Sequence, residues 1–318
     1  MESTKNLLSS NRSQAKGYAM SPVVRLLRPE QWLKNFFIFA PLIFSKHLFN
    51  EGYVWTSLQA FVAFCLLSST VYIFNDIADR EADKLHPSKR NRPIAAGTIS
   101  IPQAVGMALG LLLVIGFLMM FLNAKFLFIA VVYFVLNLGY SFFLKRVILV
   151  DVFIVAAGFM LRVLAGAFAI NVEVSEWLVL CTLFVSLFLA ISKRRGELLL
   201  VRNSESYKGR AVLREYDIEF LDQIMTIAAS GMAISYALYT VAERTIIVFG
   251  TSSLIFTTVF VLFGIFRYLY LVRVRKTEDN PTRMLTTDPV TLLNVAAWFG
   301  VCVIIIYFSE IKLWLGVR

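Results

Sequence analysis

The sequence predicts an all-α polytopic membrane protein with about nine transmembrane helices. Three observations carry that prediction. The 318-residue chain is 58% hydrophobic and only 16% charged, against ~25% charged residues in a typical soluble domain. Its apolar residues gather in runs that approach or exceed the ~20 residues an α-helix needs to cross the hydrocarbon. The Lys and Arg residues between those runs fall overwhelmingly on alternate connections.

In chain order, residues 1–24 are rich in Ser, Asn and basic residues, lack the apolar core of a signal peptide, and read as a disordered cytoplasmic N-terminus. Residues 25–318 read as a single transmembrane domain. Its first span, Phe36–Leu48, is the weakest and carries Lys46 near its end. Tyr53–Phe74, Ile99–Ala124 and Phe126–Leu144 come next, each free of Asp, Glu, Lys and Arg. Val152–Val172 is interrupted only by Arg162, and Trp177–Ser192 is short but apolar. Gln223–Ala242, Thr245–Phe266 and Pro289–Ser309 complete the set, again without a formal charge. Long charged connections at 75–98 and 193–222, four spans apart, divide the chain into two four-helix halves plus a last helix. The polar connection Arg273–Asp288, with Pro281, reads as a solvated connector.

Charge distribution sets the orientation. One set of connections comprises 1–35, 75–98, 145–151, 193–222 and 267–288. Of the 31 Lys and Arg residues, Arg162 lies within a span, Arg267 sits at the end of one, and the opposite set holds only Lys46, Lys125, Arg244, Lys312 and Arg318. All the others belong to the first set, so the positive-inside rule makes the N-terminus cytoplasmic and puts the C-terminus outside. The net charge of +10 is thereby accounted for by topology, and nucleic acid is not needed to explain it. Cys65, Cys181 and Cys302 lie inside apolar runs, where they behave as small hydrophobes, and the only histidines are His47 and His86. A disulfide framework and a His-based metal site are both excluded.

The chemistry-bearing signal is Asn75-Asp76-Ile77-Ala78-Asp79-Arg80-Glu81-Ala82-Asp83, which continues the second span. In a helix, Asn75, Asp79 and Asp83 recur at i, i+4 and i+8, and Asp76 precedes Asp79 by one turn, so all share one face. Carboxylates so placed repel one another unless a cation sits between them. Mg²⁺ suits the arrangement, because it takes one or two protein carboxylates and completes its shell with water and phosphate oxygens. A solvated helix end fits the acidic run equally well. The adjoining basic loop moves the balance, with Lys84, Lys89, Arg90 and Arg92 in a stretch shaped by Pro87, Pro93 and Gly97. Carboxylates beside a basic loop can hold metal and phosphate together, Arg through bidentate contacts and Lys as a point charge.

The block N-D-I-A-D-R-E-A-D-K-x-H-P-x-K-R-x-R-P-I-A-A-G resembles the first signature of the UbiA-type superfamily of intramembrane prenyltransferases, and it stands between spans two and three as that signature does. The resemblance extends over residues ~25–310. It implies nine helices around a central cavity, placement in a bacterial inner (cytoplasmic) membrane, and an active site on the cytoplasmic side. It further implies that Asn75, Asp76, Asp79 and Asp83 bind Mg²⁺ and a diphosphate, with Asp76, Asp79 and Asp83 as the metal ligands and catalytic carboxylates.

Ordinary members carry a second acidic motif, D-x-x-x-D, after span six. This chain has Lys193-Arg194-Arg195-Gly196-Glu197 there. Three adjacent cations are also ordinary flanking charge. Read functionally, they let Lys193 and Arg194, with Glu197, meet a more anionic donor directly. The K-R-x-G-E-L form, R-P-x-Q-W-x-K-N at Arg28–Asn35 and Y-S-F-x-L-K at Tyr140–Lys145 resemble the phosphoribosyltransferase branch of the superfamily. That branch joins phosphoribosyl diphosphate to a polyprenyl phosphate of decaprenyl type. Its product is a cell-envelope precursor of arabinofuranose donors. Lys34, Lys89, Arg90, Arg92, Tyr140, Lys145, Lys193, Arg194 and Glu197 are then the candidate substrate contacts.

Arg162 is a further candidate. It lies about 16 Å deeper than Asp151 at helical rise, and an ionisable group at that depth is by default a functional-site hypothesis. It either touches the acceptor phosphate or pairs with Asp151 or a carbonyl. Tyr140 is equally an interfacial anchor, Arg267 reads as a snorkelling cation, and Ser230, Gly231 and Ser235 read as helix packing. Competing functions are an aromatic polyprenyltransferase, which the missing second D-x-x-x-D opposes, and a CDP-alcohol phosphotransferase, whose D-x-x-D-G-x-x-A-R run is absent. A membrane transporter would put its polar groups at the bilayer midplane, whereas here they gather at the cytoplasmic ends. The sequence leaves open whether the chain acts alone or as a homo-oligomer.

Overall fold

The structure, a computed structural model, describes residues 21–86, 89–202, 211–274 and 287–308. The N-terminal stretch 1–20, Pro87, most of the Arg273–Asp288 connector and the C-terminal Lys312 and Arg318 lie outside the described residues. Among those described, every regular element is helical: α1 (Pro22–Leu27), α2 (Ala40–Phe44), α3 (Glu51–Ala78), α4 (Arg80–Lys84), α5 (Ile101–Met119), α6 (Ala124–Phe142), α7 (Val150–Ala169), α8 (Glu176–Arg202), α9 (Ile218–Val241), α10 (Glu243–Phe249), α11 (Thr258–Arg273) and α12 (Pro289–Ile306), with short 3₁₀ turns between. The expected N-terminal stretch therefore overlaps a helix, since α1 starts at Pro22 with Ser21 as its N-cap.

Among the described residues, eight helices are long and apolar enough to cross a membrane, so the expected count of nine is not reached there. The expected first span, Phe36–Leu48, is instead a 3₁₀ helix over Pro29–Phe39 that runs into the short α2. Pro41 at the start of α2 removes a backbone donor and crowds the preceding turn. The expected span Thr245–Phe266 also differs. Gly250, in the left-handed region at φ 71°, ends α10. A 3₁₀ turn over Ser253–Thr257 then leads into α11.

The apolar core explains the layering. In α3 and α7, 61% and 67% of the best window is buried, against 17% in α5 and in α12, so the first two are inner helices and the last two face outward. One core cluster joins the 3₁₀ segment, α3, α5, α6 and α7 through Ile38, Phe64, Phe126, Tyr133 and Ala165. A second joins α7, α8, α9 and α11 through Val152, Phe188, Leu221, Met225 and Ile265. These match the two halves read from the loop spacing, with α7 shared between them. The 3₁₀ segment presses into α7: a Cβ built on Gly166 would lie 2.0 Å from the Ile38 carbonyl oxygen. Gly231 has the same role between α9 and α8, where a Cβ would meet the Phe184 ring at 2.4 Å. Tyr307, just past α12, ties the last helix to the first segment, donating to the Ile43 carbonyl at 3.0 Å and accepting from the Leu48 amide at 3.3 Å.

Candidate active site

The predicted site residues converge at one end of the bundle. The acidic run is nearly, not fully, one helix. α3 ends at Ala78, Asp79 caps it, and α4 restarts at Arg80. The helical spacing survives the break. The Asp79 amide donates to the Asn75 carbonyl at 2.9 Å, and the Asp83 amide to the Asp79 carbonyl at 2.8 Å. The carboxylates therefore stay on one side of the helix, as the spacing predicts.

Each carboxylate meets a cation. Asp76, 2% exposed, takes a guanidinium hydrogen bond from Arg28 and another from Arg92 at 3.1 Å. The same Arg92 nitrogen donates to Asp83 at 2.6 Å, bridging the two acids. Asp79 is paired with Lys145, and Asn75 Nδ2 donates to its other oxygen at 3.2 Å. Arg28 reaches Asp76 because its backbone turns through the left-handed region, φ 53°, between α1 and the 3₁₀ segment. Its guanidinium also lies over the Tyr72 ring, 5.2 Å from the centroid.

No group of three or more His, Cys, Asp and Glu residues among those described is close enough to form a protein-only metal cage. The motif fits a metal of another kind. Asp76 Oδ2 is buried and has no hydrogen-bond partner, and Arg92 holds Asp83 beside Asp76. A cation that takes one or two carboxylates and fills its shell from water and phosphate suits such a pair.

The basic motif corrects the sequence reading. Lys193–Arg202 continues α8 and is not a loop. Lys193 is exposed, but Arg194 is 2% exposed and committed. Its Nε bonds to Asp151 and its Nη1 to Glu197, while Nη2 donates to the Tyr140 hydroxyl at 3.0 Å. Helical geometry causes this: Arg194 and Glu197 share a face one turn apart, and that face packs on the start of α7. Arg194 is therefore not an open phosphate-binding cation. Arg195 is drawn off to Asp222 at 2.8 Å. The Tyr216 hydroxyl donates to Asp151 at 2.8 Å and accepts from the Leu149 amide at 2.8 Å, which fixes Leu149 at the uncommon φ of 65°. Burial and the Asp151 hydrogen bond hold the Tyr216 phenol protonated well beyond its usual range.

Arg162 has no link to Asp151, which Arg194 already occupies. It is 4% exposed and donates to Asn35 Oδ1 at 2.7 Å, the Gly158 carbonyl at 2.7 Å and the Tyr133 hydroxyl at 2.8 Å. The rings of Tyr133, Phe159 and Phe64 lie 4.9, 5.4 and 5.8 Å from its guanidinium carbon. Neutral oxygens and aromatic faces thus carry this charge. Lys34 sits on the 3₁₀ segment beside Asn35, half-buried, within electrostatic reach of Arg162, Tyr133, Arg28 and Tyr140. Arg267 is anchored by a partner at the start of the next helix. It forms a two-pronged pair with Asp288, at 2.8 and 3.1 Å.

In the loop, Lys89 and Arg90 form a 3₁₀ turn, Arg90 being exposed. The Lys89 amide donates to His86 Nδ1 at 3.3 Å. Burial and the Lys89 charge lower the His86 pKa to about 4, so the ring is neutral at pH 7. Sequence reasoning missed Arg28, Tyr133, Asn35 and Tyr216 as site components. Arg28 and Asn35 stand inside the R-P-x-Q-W-x-K-N motif, a usable signal. Nothing in the local sequence marks Tyr216. Two concavities lie elsewhere. One, of about 250 Å³, is at the opposite end around Pro41, Glu173, Tyr239 and Arg244. The other, of about 490 Å³, is an apolar groove bordered by Leu112, Met119, Leu127 and Phe134.

Residues 36–295 match the UbiA prenyltransferase family. The chain belongs to that family. It is 40% identical over 221 residues to the decaprenyl-phosphate phosphoribosyltransferase of Corynebacterium glutamicum, a match covering 68% of this chain and 66% of that one. It is 32% identical over 301 residues to the protein of the same name from Mycolicibacterium smegmatis, covering 91% and 94%. In three dimensions it resembles a UbiA homolog from Archaeoglobus fulgidus bound to GPP and Mg²⁺. The TM-score is 0.65 at 18% identity, over 91% of this chain and 98% of that one. This UbiA-family chain thus shares the fold of that multi-pass helical bundle.

Proposed function

We propose that this protein transfers the 5-phosphoribosyl group from phosphoribosyl diphosphate to a polyprenyl phosphate of decaprenyl type, releasing diphosphate. The observation that carries the reading is charge order. A carboxylate face is ringed by Arg28, Arg92 and Lys145, with Lys89, Arg90 and Lys193 on the adjoining turn and helix. A donor bearing a 5-phosphate as well as a diphosphate matches that excess of cations better than a prenyl diphosphate does. The names of its relatives from Corynebacterium glutamicum and Mycolicibacterium smegmatis support the same activity.

The chemistry needs little from the protein beyond placement. A phosphate monoester has a second pKa near ~6 and is largely dianionic at neutral pH, so the acceptor is already a nucleophile. The neutral His86 is not needed as a base. An acceptor phosphate oxygen bonds to ribose C1 as the bond from C1 to the diphosphate oxygen breaks, with inversion at C1. Asp76, Asp79 and Asp83 hold Mg²⁺, which neutralises charge on the diphosphate. Asn75 orients Asp79. Arg92, Arg90, Lys89 and Lys193 hold donor phosphates, while Lys34, Tyr140 and Arg162 flank the acceptor side. Arg194 and Glu197 position this end of α8 against α7. The lopsided Lys and Arg count supports a site that faces the cytoplasm, and the bacterial relatives support placement in an inner membrane.

A donor screen on purified protein tests the reading. Radiolabelled phosphoribosyl diphosphate should pass its label into the lipid phase only when polyprenyl phosphate is present. Transfer from a prenyl diphosphate to an aromatic acid, with none from phosphoribosyl diphosphate, would refute it.

A further inference from the structure

Two ion clusters sit at the motif end, each with a guanidinium between two carboxylates. In the first, Arg92 bridges Asp76 and Asp83 through a single nitrogen, with its side chain 25% exposed, and Arg28 adds a second guanidinium to Asp76. In the second, the guanidinium of Arg194 lies between two carboxylates, Asp151 and Glu197. The end of α6 and the 3₁₀ turn after it link them: Lys145 reaches Asp79, and the Tyr140 hydroxyl accepts from Arg194. The second cluster carries one more negative charge than positive. Both of its acids are largely withdrawn from solvent, Asp151 at 0% and the Glu197 side chain at 19% exposure.

Two carboxylates from different helices on either side of one cation is the way a protein offers ligands to a divalent metal. Here a side chain fills that place. Each carboxylate bonds to a separate nitrogen of the guanidinium, and the third nitrogen is taken by Tyr140. The remaining Asp151 oxygen accepts from Tyr216. A guanidinium neither deprotonates nor dissociates, so its charge is permanent. We propose that Arg194 is a tethered cation that closes the Asp151–Glu197 carboxylate pair to divalent metal.

The consequence is an asymmetric site. Positive charge is fixed on the α7–α8 side, where all three Arg194 nitrogens are engaged and buried, and exchangeable at the Asp76–Asp79–Asp83 face, where Arg92 uses one nitrogen and is a quarter exposed, a contrast that rests on the proposed metal-binding role of that face. Removing the guanidinium while keeping its bulk should convert the second cluster into a metal site.

Counting Mn²⁺ bound to the purified full-length protein in detergent, by titration calorimetry and electron paramagnetic resonance, tests this without turnover. Arg194→Met should bind one more Mn²⁺ per chain than wild type. Adding Glu197→Gln should remove the extra site, and Arg194→Lys, which keeps a charge, should not gain it. No gain in a folded Arg194→Met protein overturns the proposal. So does a wild-type Mn²⁺ that Glu197→Gln abolishes, a measurement that needs no Arg194 variant to fold. Arg194→Gln is the second neutral replacement should the methionine variant not fold. A wild type that binds no Mn²⁺ while Arg194→Met binds one supports the role of Arg194 and refutes the metal role of the first motif.

Discussion

Gly166→Ala gives a sharp test of how the first segment is seated, and Gly158→Ala on the same helix supplies its control. Both glycines are buried in α7. At Gly166 an added Cβ would lie 2.0 Å from the Ile38 oxygen, 2.8 Å from its carbonyl carbon and 3.0 Å from its Cα. All three are backbone atoms, so no side chain can swing away. Restoring an ordinary carbon contact requires the 3₁₀ segment and α7 to separate by more than about 1 Å. Overpacking of this kind costs ~1–3 kcal/mol or more. Alanine recovers up to ~1 kcal/mol of helix propensity, leaving a net loss of roughly 2 kcal/mol. At Gly158 the new Cβ would sit 3.5 Å from Arg162 Nη1 and 3.8 Å from the Tyr133 ring, which is ordinary contact. Gly158→Ala should be neutral or up to ~1 kcal/mol more stable. Thermal unfolding of both variants in one detergent is the assay. Gly166→Ala should melt several degrees below wild type, and its donor and acceptor KM should rise because Lys34 and Asn35 ride on the displaced segment. A Gly166→Ala protein that melts at or above Gly158→Ala would show that the close approach is wrongly placed.

Further predictions concern the motif and its loop. Asp79→Asn and Asp83→Asn should each lower kcat/KM about a hundredfold or more, since a catalytic metal contributes several kcal/mol, in protein that still folds. Wild-type turnover by either variant at saturating Mg²⁺ would count against the ligand assignment. His86, lowered to about 4 in the folded state from the usual 6.5, favours folding in its neutral form. Its contribution is complete above pH 6.5 and is lost as pH falls towards 4. His86→Asn should therefore flatten the melting-temperature profile over that window, and an unchanged acid limb would show that the ring is not held neutral.

Much of the fold is legible in the chain. Apolar runs find helices because the bilayer demands ~20 residues with every backbone group satisfied internally. Eight of the nine expected spans have a counterpart among the long apolar helices, most with ends shifted by a few residues and Thr245–Phe266 displaced to Ser253–Arg273. The acidic run reads correctly as one face because helical spacing is local. The failures share a cause as well. Phe36–Leu48 and Thr245–Phe266 read as regular helices from hydropathy, which does not register that Pro41 and Gly250 redirect the backbone. Arg194 reads as an open cation because a sequence shows charge and not what packs against it.

The sequence by itself determined the polytopic helical class, the two halves set off by long charged connections, and the acidic face from Asn75 to Asp83. All of these follow from residue periodicity and the cost of exposing polar groups to lipid. Only the tertiary structure decided which charges answer which. Arg28 meets Asp76, Lys145 meets Asp79, Arg194 takes both Asp151 and Glu197, and Arg162 is left to Asn35, Tyr133 and a carbonyl. Most of those partners come from different helices far apart in sequence. Their pairing is set by helix packing and by the desolvation cost of leaving any one of them alone, which no local pattern of residues encodes.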